Sequence, residues 1–203
     1  MHATARSYVS SLSPFEQLRY AQEVLKLEAQ AIRQVVARLG DEFCQAAELL
    51  YACRGAAVVS GIGKAGLVGQ KLSATLTSTG TCSHFLHPSE AMHGDLGRIR
   101  SGDVVLLLSN SGETEEVLGL LPALARIDVP TVVITSRPAS TLARAAQVVL
   151  DMGPMQEACT LGLAPSTSTT AMLALGDALA LVVSRMRGFT PIQFAQFHPG
   201  GSL

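Results

Sequence analysis

The chain has 203 residues, of which 48% are hydrophobic and 15% are charged, and its formal net charge is -1. This length is typical of one domain with a sizeable core. Near-neutral charge, with no basic stretch interleaved with aromatic residues, gives no support for a nucleic-acid partner. The four cysteines are scattered without a C-x-x-C spacing and indicate neither a zinc cluster nor a disulfide framework.

Two helices are predicted before the first strand. Pro14 follows Ser-Leu-Ser, which is a capping and first-turn signal, and apolar residues then recur at helical spacing as far as Leu39. The segment GDEFCQAAELLYAC predicts a second, shorter helix. We expect residues 1–40 to form a helical arm and residues 41–203 to form the main domain.

Short aliphatic runs then alternate with helix-like segments. The predicted strands are AAVVS, CSHFLH, DVVLLLS, TVVITS and VVLDM; the predicted helices are 64–79, 112–126, 139–146 and 166–187. Several strands are apolar throughout, as expected when helices cover both faces of a sheet. The pattern predicts an α/β fold with a parallel, doubly wound sheet. Pro122 is expected to bend helix 112–126 or to delay its start.

No membrane partner and no secretion signal are predicted. The N-terminal residues lack the apolar segment of a signal peptide. The most apolar helical run, AMLALGDALALVV, is too short to span a bilayer and carries Asp177. We therefore expect a cytoplasmic protein.

The loop GIGKAG, directly after the first predicted strand, matches the dinucleotide pattern G-x-G-x-x-G. A nicotinamide site should place an acidic residue roughly 20 positions further on, where the sequence has His84 and His87. A P-loop would need glycine at Val58 and Ser or Thr at Ala65. Both nucleotide interpretations are disfavoured, and no cofactor is predicted.

What remains in this loop is a glycine-rich turn and a cation. Gly63 would let an anion approach the backbone, and Lys64 lies at the start of a predicted helix, where the amides favour negative charge. The alternative is a solvated lysine without a ligand.

The third predicted strand leads into SNSGETEEV. Ser109, Ser111 and Thr114 offer hydroxyls, Asn110 lies between the two serines, and Gly112 allows a turn. These residues predict a phosphate site made of neutral donors and a helix N-terminus. The alternative is an ordinary serine cap.

Three further groups follow predicted strands or close the chain. One group of possible metal ligands falls within nine residues: His87, Glu90, His93 and Asp95. Their spacing matches no known zinc site, so no metal is predicted. His93 is a weak candidate ligand and a better candidate for contacting a substrate hydroxyl. Glu157 precedes a hydroxyl-rich helix start at 166–170. His198 begins the turn HPGG, with a solvent-exposed terminal histidine as the alternative.

Together the motifs GIGKAG, HPSEAMHGDLG, SNSGETEE, EACTLGLAPSTSTT and FHPGG closely resemble the sugar isomerase (SIS) domain family, and within it the D-arabinose 5-phosphate isomerases. The resemblance covers residues 40–203. It implies a three-layer αβα sandwich with a five-stranded parallel, Rossmann-like sheet. It also implies a homotetramer whose active sites draw on neighbouring subunits. Many members continue past HPGG into CBS domains, which are not expected in this chain.

The resemblance also implies the reaction and its residues. Arabinose 5-phosphate and ribulose 5-phosphate would be interconverted through an enediol, without a cofactor, as the first step of Kdo synthesis for lipopolysaccharide or capsule. The phosphate would bind Gly63 and residues 109–114. The catalytic positions carried over are Lys64, His93, Glu116, Glu157 and His198.

Each catalytic position has an expected role. Lys64 would stabilise charge on substrate oxygens, and His93 would orient hydroxyls. Glu116 or Glu157, with a raised pKa, would carry the proton. His198 would open the sugar ring or act as an acid or base. The alternatives are an SIS isomerase for another sugar phosphate and a non-catalytic regulator that binds one.

Overall fold

The computed structural model describes residues 12–200. The first eleven residues of the predicted arm and Gly201 of the HPGG turn lie outside this range. The helices are α1 (Pro14–Arg38), α2 (Asp41–Ala52), α3 (Gly63–Ser78), α4 (Pro88–Met92), α5 (Glu115–Leu118), α6 (Leu121–Ile127), α7 (Thr141–Ala145), α8 (Thr167–Met186) and α9 (Pro191–Phe197). The strands are β1 (Ala57–Gly61), β2 (Ser83–Phe85), β3 (Val104–Leu108), β4 (Thr131–Thr135) and β5 (Val148–Asp151).

The five strands form one parallel sheet in the order β2-β1-β3-β4-β5. Alternate residues of each strand point to opposite faces, and both faces are buried. On β3, Leu106 and Leu108 pack beneath α1, α2, α3 and α8, whereas Val105 and Leu107 pack beneath the helices of the other face. The predicted three-layer α/β fold is confirmed.

Helix α1 begins with a capping box, and one face of its second half packs on the core. The Ser13 side chain accepts a hydrogen bond from the Glu16 amide at 3.3 Å, and the Glu16 carboxylate accepts one from the Ser13 amide at 2.8 Å. Ala31 and Val35, in the second half of the helix, join the same buried cluster as β1 and β3. The first half is mostly exposed.

The predicted single helix 112–126 is wrong. The segment divides into α5 and α6, and residues 112–114 belong to a loop. Pro122 lies in the first turn of α6, where its missing N–H has no helical partner to lose, so the expected interruption is confirmed. The short helices α4 and α9 were not predicted.

Helix α8 is longer than the apolar run quoted above. Its 20 residues are long and apolar enough to cross a membrane by length and composition, so the expectation that the segment is too short is wrong. However, 56% of its most apolar window is buried, and it packs against α1, α2 and α3. This packing is that of the core helix of a globular domain.

Candidate active site

A cleft of about 230 Å³ opens at the carboxyl ends of the strands. It lies where the strand order reverses, because β2 and β3 flank β1 on opposite sides. Ligands of open α/β sheets bind at such switch points. The lining comes from the loop after β1, the loop after β3 and the first turns of α8: Ile62, Ala65, Leu108, Ser109, Asn110, Ser111, Thr114, Pro165, Ser168, Thr169 and Met172. The structure therefore brings the predicted phosphate loop to this cleft.

Loop 109–114 is held in shape by its own side chains. The hydroxyl oxygens of Ser109 and Thr114 lie 2.8 Å apart, and the Ser109 hydroxyl accepts the Gly112 amide at 3.0 Å. Gly112 has a φ of 64°, a conformation that side chains rarely adopt. The Ser111 hydroxyl accepts the Glu113 amide at 3.2 Å, so its proton can be donated to a ligand.

The loop is also fastened to the segment that follows β4. The Asn110 side-chain oxygen accepts the Ser136 hydroxyl at 2.7 Å, and the Asn110 carbonyl accepts the Ser136 amide at 3.1 Å. The loops after β3 and β4 thus form one connected unit at this edge of the sheet. Its shape is set before a ligand arrives.

The three glycines of GIGKAG have two roles: two of them allow close helix packing, and one leaves space for a ligand. A side chain at Gly66 would approach the Gly61 carbonyl to 2.8 Å, and one at Gly61 would crowd the Leu108 carbonyl at 3.1 Å. Both glycines therefore let α3 pack closely on β1 and β3. Gly63, with a φ of 60° and open space beside it, is the position that leaves room for a ligand. Lys64 follows it and is exposed in the first turn of α3.

Glu157 lies in the loop before α8 and caps that helix. Its carboxylate accepts the Ser166 amide at 2.8 Å, the Ser168 amide at 3.3 Å, and the hydroxyls of both serines. Burial raises the pKa of Glu157, but the four hydrogen bonds together lower it by more, so the pKa lies below the usual value for a glutamate. The expectation of a raised pKa at Glu157 is wrong, because sequence alone does not reveal these donors.

His93 and Glu116 lie at the same edge of the sheet as the cleft. His93 directly follows α4, after the carboxyl end of β2, and Glu116 is the second residue of α5, two positions beyond Thr114. Both side chains are exposed. Met92 lies near Gly119 and brings α4 beside the end of α5.

His87 also follows β2 and carries a buried Nδ1 atom without a hydrogen-bond partner among the described residues. The sequence placed His87 after β2 and near Glu90, His93 and Asp95, but it did not indicate that this nitrogen would be buried. Within residues 12–200, no three His, Cys, Asp or Glu side chains are grouped to hold a metal ion.

His198 lies at the opposite edge of the sheet. Helix α8 starts beside the cleft and is about 30 Å long at 1.5 Å per residue. At its far end, Arg187 donates to the carbonyl of Leu50 and to the hydroxyl of Thr81, which precedes β2. His198 follows α9 beyond this point, with its ring stacked 3.9 Å from that of Phe194. A single chain therefore does not bring His198 to Lys64.

Arg137 is a candidate that the sequence interpretation missed. It follows β4 in TVVITSRP, and its exposed side chain lines a cavity of about 450 Å³ together with Ser111 and Glu113. A charged residue two positions after an apolar strand is the signal that could have identified it.

The SIS domain profile matches residues 49–182, which contain the sheet, the cleft and most of α8. The chain belongs to the SIS domain family. This family assignment agrees with the resemblance drawn from the five motifs.

Two curated SIS relatives carry the name arabinose 5-phosphate isomerase KdsD. The one from Pseudomonas aeruginosa is 53% identical over 90% of this chain and 56% of its own length. The one from Escherichia coli K12 is 47% identical over 97% of this chain and 60% of its own length. The chain thus spans little more than half the length of the curated relatives it matches.

A solved SIS structure is also similar to this chain. E. coli CFT073 c3406, in complex with A5P, has a TM-score of 0.90 and 38% identity, over 93% of this chain and 100% of that chain. At this identity and coverage, the match supports the assignment of the whole sheet and its flanking helices.

Proposed function

We propose that this chain is an aldose–ketose isomerase that interconverts D-arabinose 5-phosphate and D-ribulose 5-phosphate. The observation that carries the proposal is the switch-point cleft, which is lined by loop 109–114 and by Ile62 and Ala65. Those two residues flank the open turn at Gly63 and the exposed cation of Lys64. The names of relatives at 47–53% identity support the same substrate, as does the bound A5P of the E. coli CFT073 relative.

In the proposed mechanism, loop 109–114 binds the phosphate through its hydroxyls and backbone amides. A carboxylate removes the proton from C2 of the open-chain aldose and returns it to C1 through an enediolate, while a second proton passes from the C2 hydroxyl to the C1 oxygen. Lys64 stabilises the negative charge that develops on the C1 and C2 oxygens. His93 orients substrate hydroxyls.

We assign the proton transfer to Glu116 rather than to Glu157. The four hydrogen bonds to Glu157 lower its basicity and employ its carboxylate in holding Ser166 and Ser168 at the start of α8. Glu116 is exposed at the same edge and is therefore accessible to a substrate. Glu157 contributes by fixing Ser168, which lines the cleft.

The proposal includes a homotetramer with shared active sites. His198 of a neighbouring subunit would open the sugar ring or act as an acid or base, because the chain's own His198 lies at the other edge of the sheet. Exposed apolar side chains on α1 and on the loop before α8 offer surfaces for association: Phe15, Leu18, Leu25, Leu161 and Leu163. The same proposal includes the division of the chain into an arm (1–40) and an SIS domain (41–203). It also includes a cytoplasmic location and a role in Kdo synthesis.

A substrate panel tests this function. We expect the purified protein to interconvert arabinose 5-phosphate and ribulose 5-phosphate without added cofactor, and to incorporate solvent deuterium at C1 or C2. Lys64→Ala and Glu116→Gln should each reduce kcat by about 10²-fold or more while the fold is retained. Turnover confined to a hexulose or heptose phosphate, or binding without turnover, would replace the proposal with one of its alternatives. Near-wild-type rates in both variants would refute the site assignment.

A further inference from the structure

The proposed phosphate loop lacks a cation of its own. Residues 109–114 supply hydroxyls and amides, and their one charged side chain is the carboxylate of Glu113. A sugar phosphate carries close to two negative charges near neutral pH, and charge-assisted hydrogen bonds are roughly twice as strong as neutral ones. Lys64 follows the carboxyl end of β1, on one side of β3, so a cation on the other side of the loop would follow β4.

Arg137 occupies that side. Strands β1, β3 and β4 are neighbours in the sheet, and Lys64, loop 109–114 and Arg137 follow their respective carboxyl ends. Arg137 and Ser111 line one cavity, and Ser111 also lines the switch-point cleft on its other side. The arginine therefore lies beside the loop proposed to bind phosphate.

The backbone of Arg137 is fixed, whereas its side chain is exposed. Its amide donates to the Thr135 hydroxyl at 3.1 Å, its carbonyl accepts the Ser140 amide at 3.0 Å, and Pro138 follows. The preceding residue, Ser136, holds Asn110 by two hydrogen bonds. Within residues 12–200, no carboxylate oxygen lies within 4.0 Å of the Arg137 guanidinium.

Glu113 shares the cavity but is engaged elsewhere. Its carboxylate accepts the Thr141 amide at 2.8 Å at the first turn of α7. This bond holds the pKa of Glu113 below its usual value, so the side chain is ionised. Arg144, on α7, lies on the same side and adds positive charge. The negative charge of Glu113 is thus directed at α7, and Arg137 has no acidic partner in the part of the chain that the structure describes.

From this placement we propose that Arg137 is a phosphate-recognition residue. It would close on the phosphoryl oxygens from the β4 side, opposite Lys64, and select phosphorylated over neutral sugars. The proposal deepens, and rests on, the proposed function of the cleft. Because the phosphate group is unchanged by the reaction, Arg137 binds ground state and transition state alike, and its loss should affect KM rather than kcat.

The test compares Arg137→Gln and Arg137→Lys with Arg126→Gln, which makes the same charge change at an exposed position of α6 outside both cavities. Kinetics use arabinose 5-phosphate, and calorimetry uses inorganic phosphate as the probe. For Arg137→Gln we expect KM and the Kd of phosphate to rise about 10-fold, with kcat within about 2-fold of wild type. Arg137→Lys should recover part of the loss, and Arg126→Gln should match wild type.

The two readouts separate this proposal from the one it rests on. Suppose that the wild-type protein binds phosphate but does not isomerise arabinose 5-phosphate, and that Arg137→Gln, but not Arg126→Gln, binds phosphate more weakly. The proposed reaction then fails, and the phosphate role of Arg137 stands. If Arg137→Gln matches Arg126→Gln in both assays, or lowers kcat alone, or if the wild-type protein binds no phosphate, the role of Arg137 is refuted.

Discussion

Glu157 shows how the surroundings of one residue decide its chemistry. The resemblance to the SIS family implied that Glu157 could carry the proton, and the sequence placed this residue correctly in the loop before α8. The hydrogen-bond donors that surround its carboxylate arise only when the loop folds back on the first turn of α8. That turn lies nine to eleven residues further along the chain, so no local pattern could reveal the lowered pKa.

The lowered pKa makes a prediction about stability. At neutral pH, Glu157→Gln should reduce the free energy of unfolding by about 1 kcal/mol, because an amide replaces a carboxylate that accepts charge-assisted bonds on a partly exposed site. The folded-state pKa lies below the unfolded value of about 4.3, so the advantage of the wild type is complete above that pH. It is lost as the pH falls through the folded-state value.

Urea unfolding of both proteins between neutral and acidic pH measures this difference. Glu48→Gln, at an exposed position of α2, is the matched control and should show no such pH-dependent gap. A gap between wild type and Glu157→Gln that widened on acidification would contradict the capping role.

At the scale of elements, the apolar runs located all five strands because buried parallel strands are apolar on both faces. The short helices were harder to predict. Helices α4, α5 and α9 have only four to seven residues, too few for a helical period to show. Helix α9 nevertheless carries a readable start, since Thr190 and Gln193 form a capping box around Pro191.

Loop 109–114 and α7 are coupled through Gly112. A Cβ atom at Gly112 would lie 2.0 Å from the hydroxyl of Ser140, the residue that caps α7 by accepting the Ala143 amide. Gly112→Ala should therefore lower the free energy of unfolding by about 2–4 kcal/mol, combining left-handed backbone strain with overpacking. It should also weaken phosphate binding, since the loop must shift.

Gly162→Ala is the control for backbone strain alone. Gly162 has a φ of 63°, but a Cβ atom there meets nothing within 4 Å. Its cost should be about 1–2 kcal/mol, with phosphate affinity unchanged. Equal losses of stability in the two variants, measured by urea unfolding, would show that Ser140 moves aside without resistance.

At the scale of the whole molecule, the sequence predicted which candidate residues lie at one edge of the sheet better than it predicted the position of His198. The carboxyl edge of the sheet gathers Lys64, His93, Glu116 and Glu157, as the strand-end argument required. His198 could not be placed in this way, because its position depends on the length of α8 and on the packing of α9 near Gly80 and Phe189. Under the proposed function, His198 would reach a cleft only through assembly.

Shared sites predict activity in mixtures of two inactive variants. Lys64→Ala and His198→Asn should each be nearly inactive alone, because every site then lacks one of the two residues. When the differently tagged variants are co-expressed and purified through both tags, some clefts combine an intact Lys64 with an intact His198 from a neighbour. For random assembly into a tetramer, with the unmixed oligomers removed by the two tags, about 30% of the sites are complete, so about 30% of the wild-type kcat should return.

The control mixture pairs Lys64→Ala with Glu116→Gln. Both residues belong to the same edge of one chain, so no mixed oligomer contains a complete site and no activity should return. Recovery of activity in this control would contradict the donation of His198 across subunits. The same conclusion would follow if the mixture with His198→Asn recovered no activity although native mass spectrometry showed oligomers containing both variants. Recovery confined to the His198 mixture would tie catalysis to assembly, and dilution below the dissociation constant of the oligomer should then abolish turnover while each subunit stays folded.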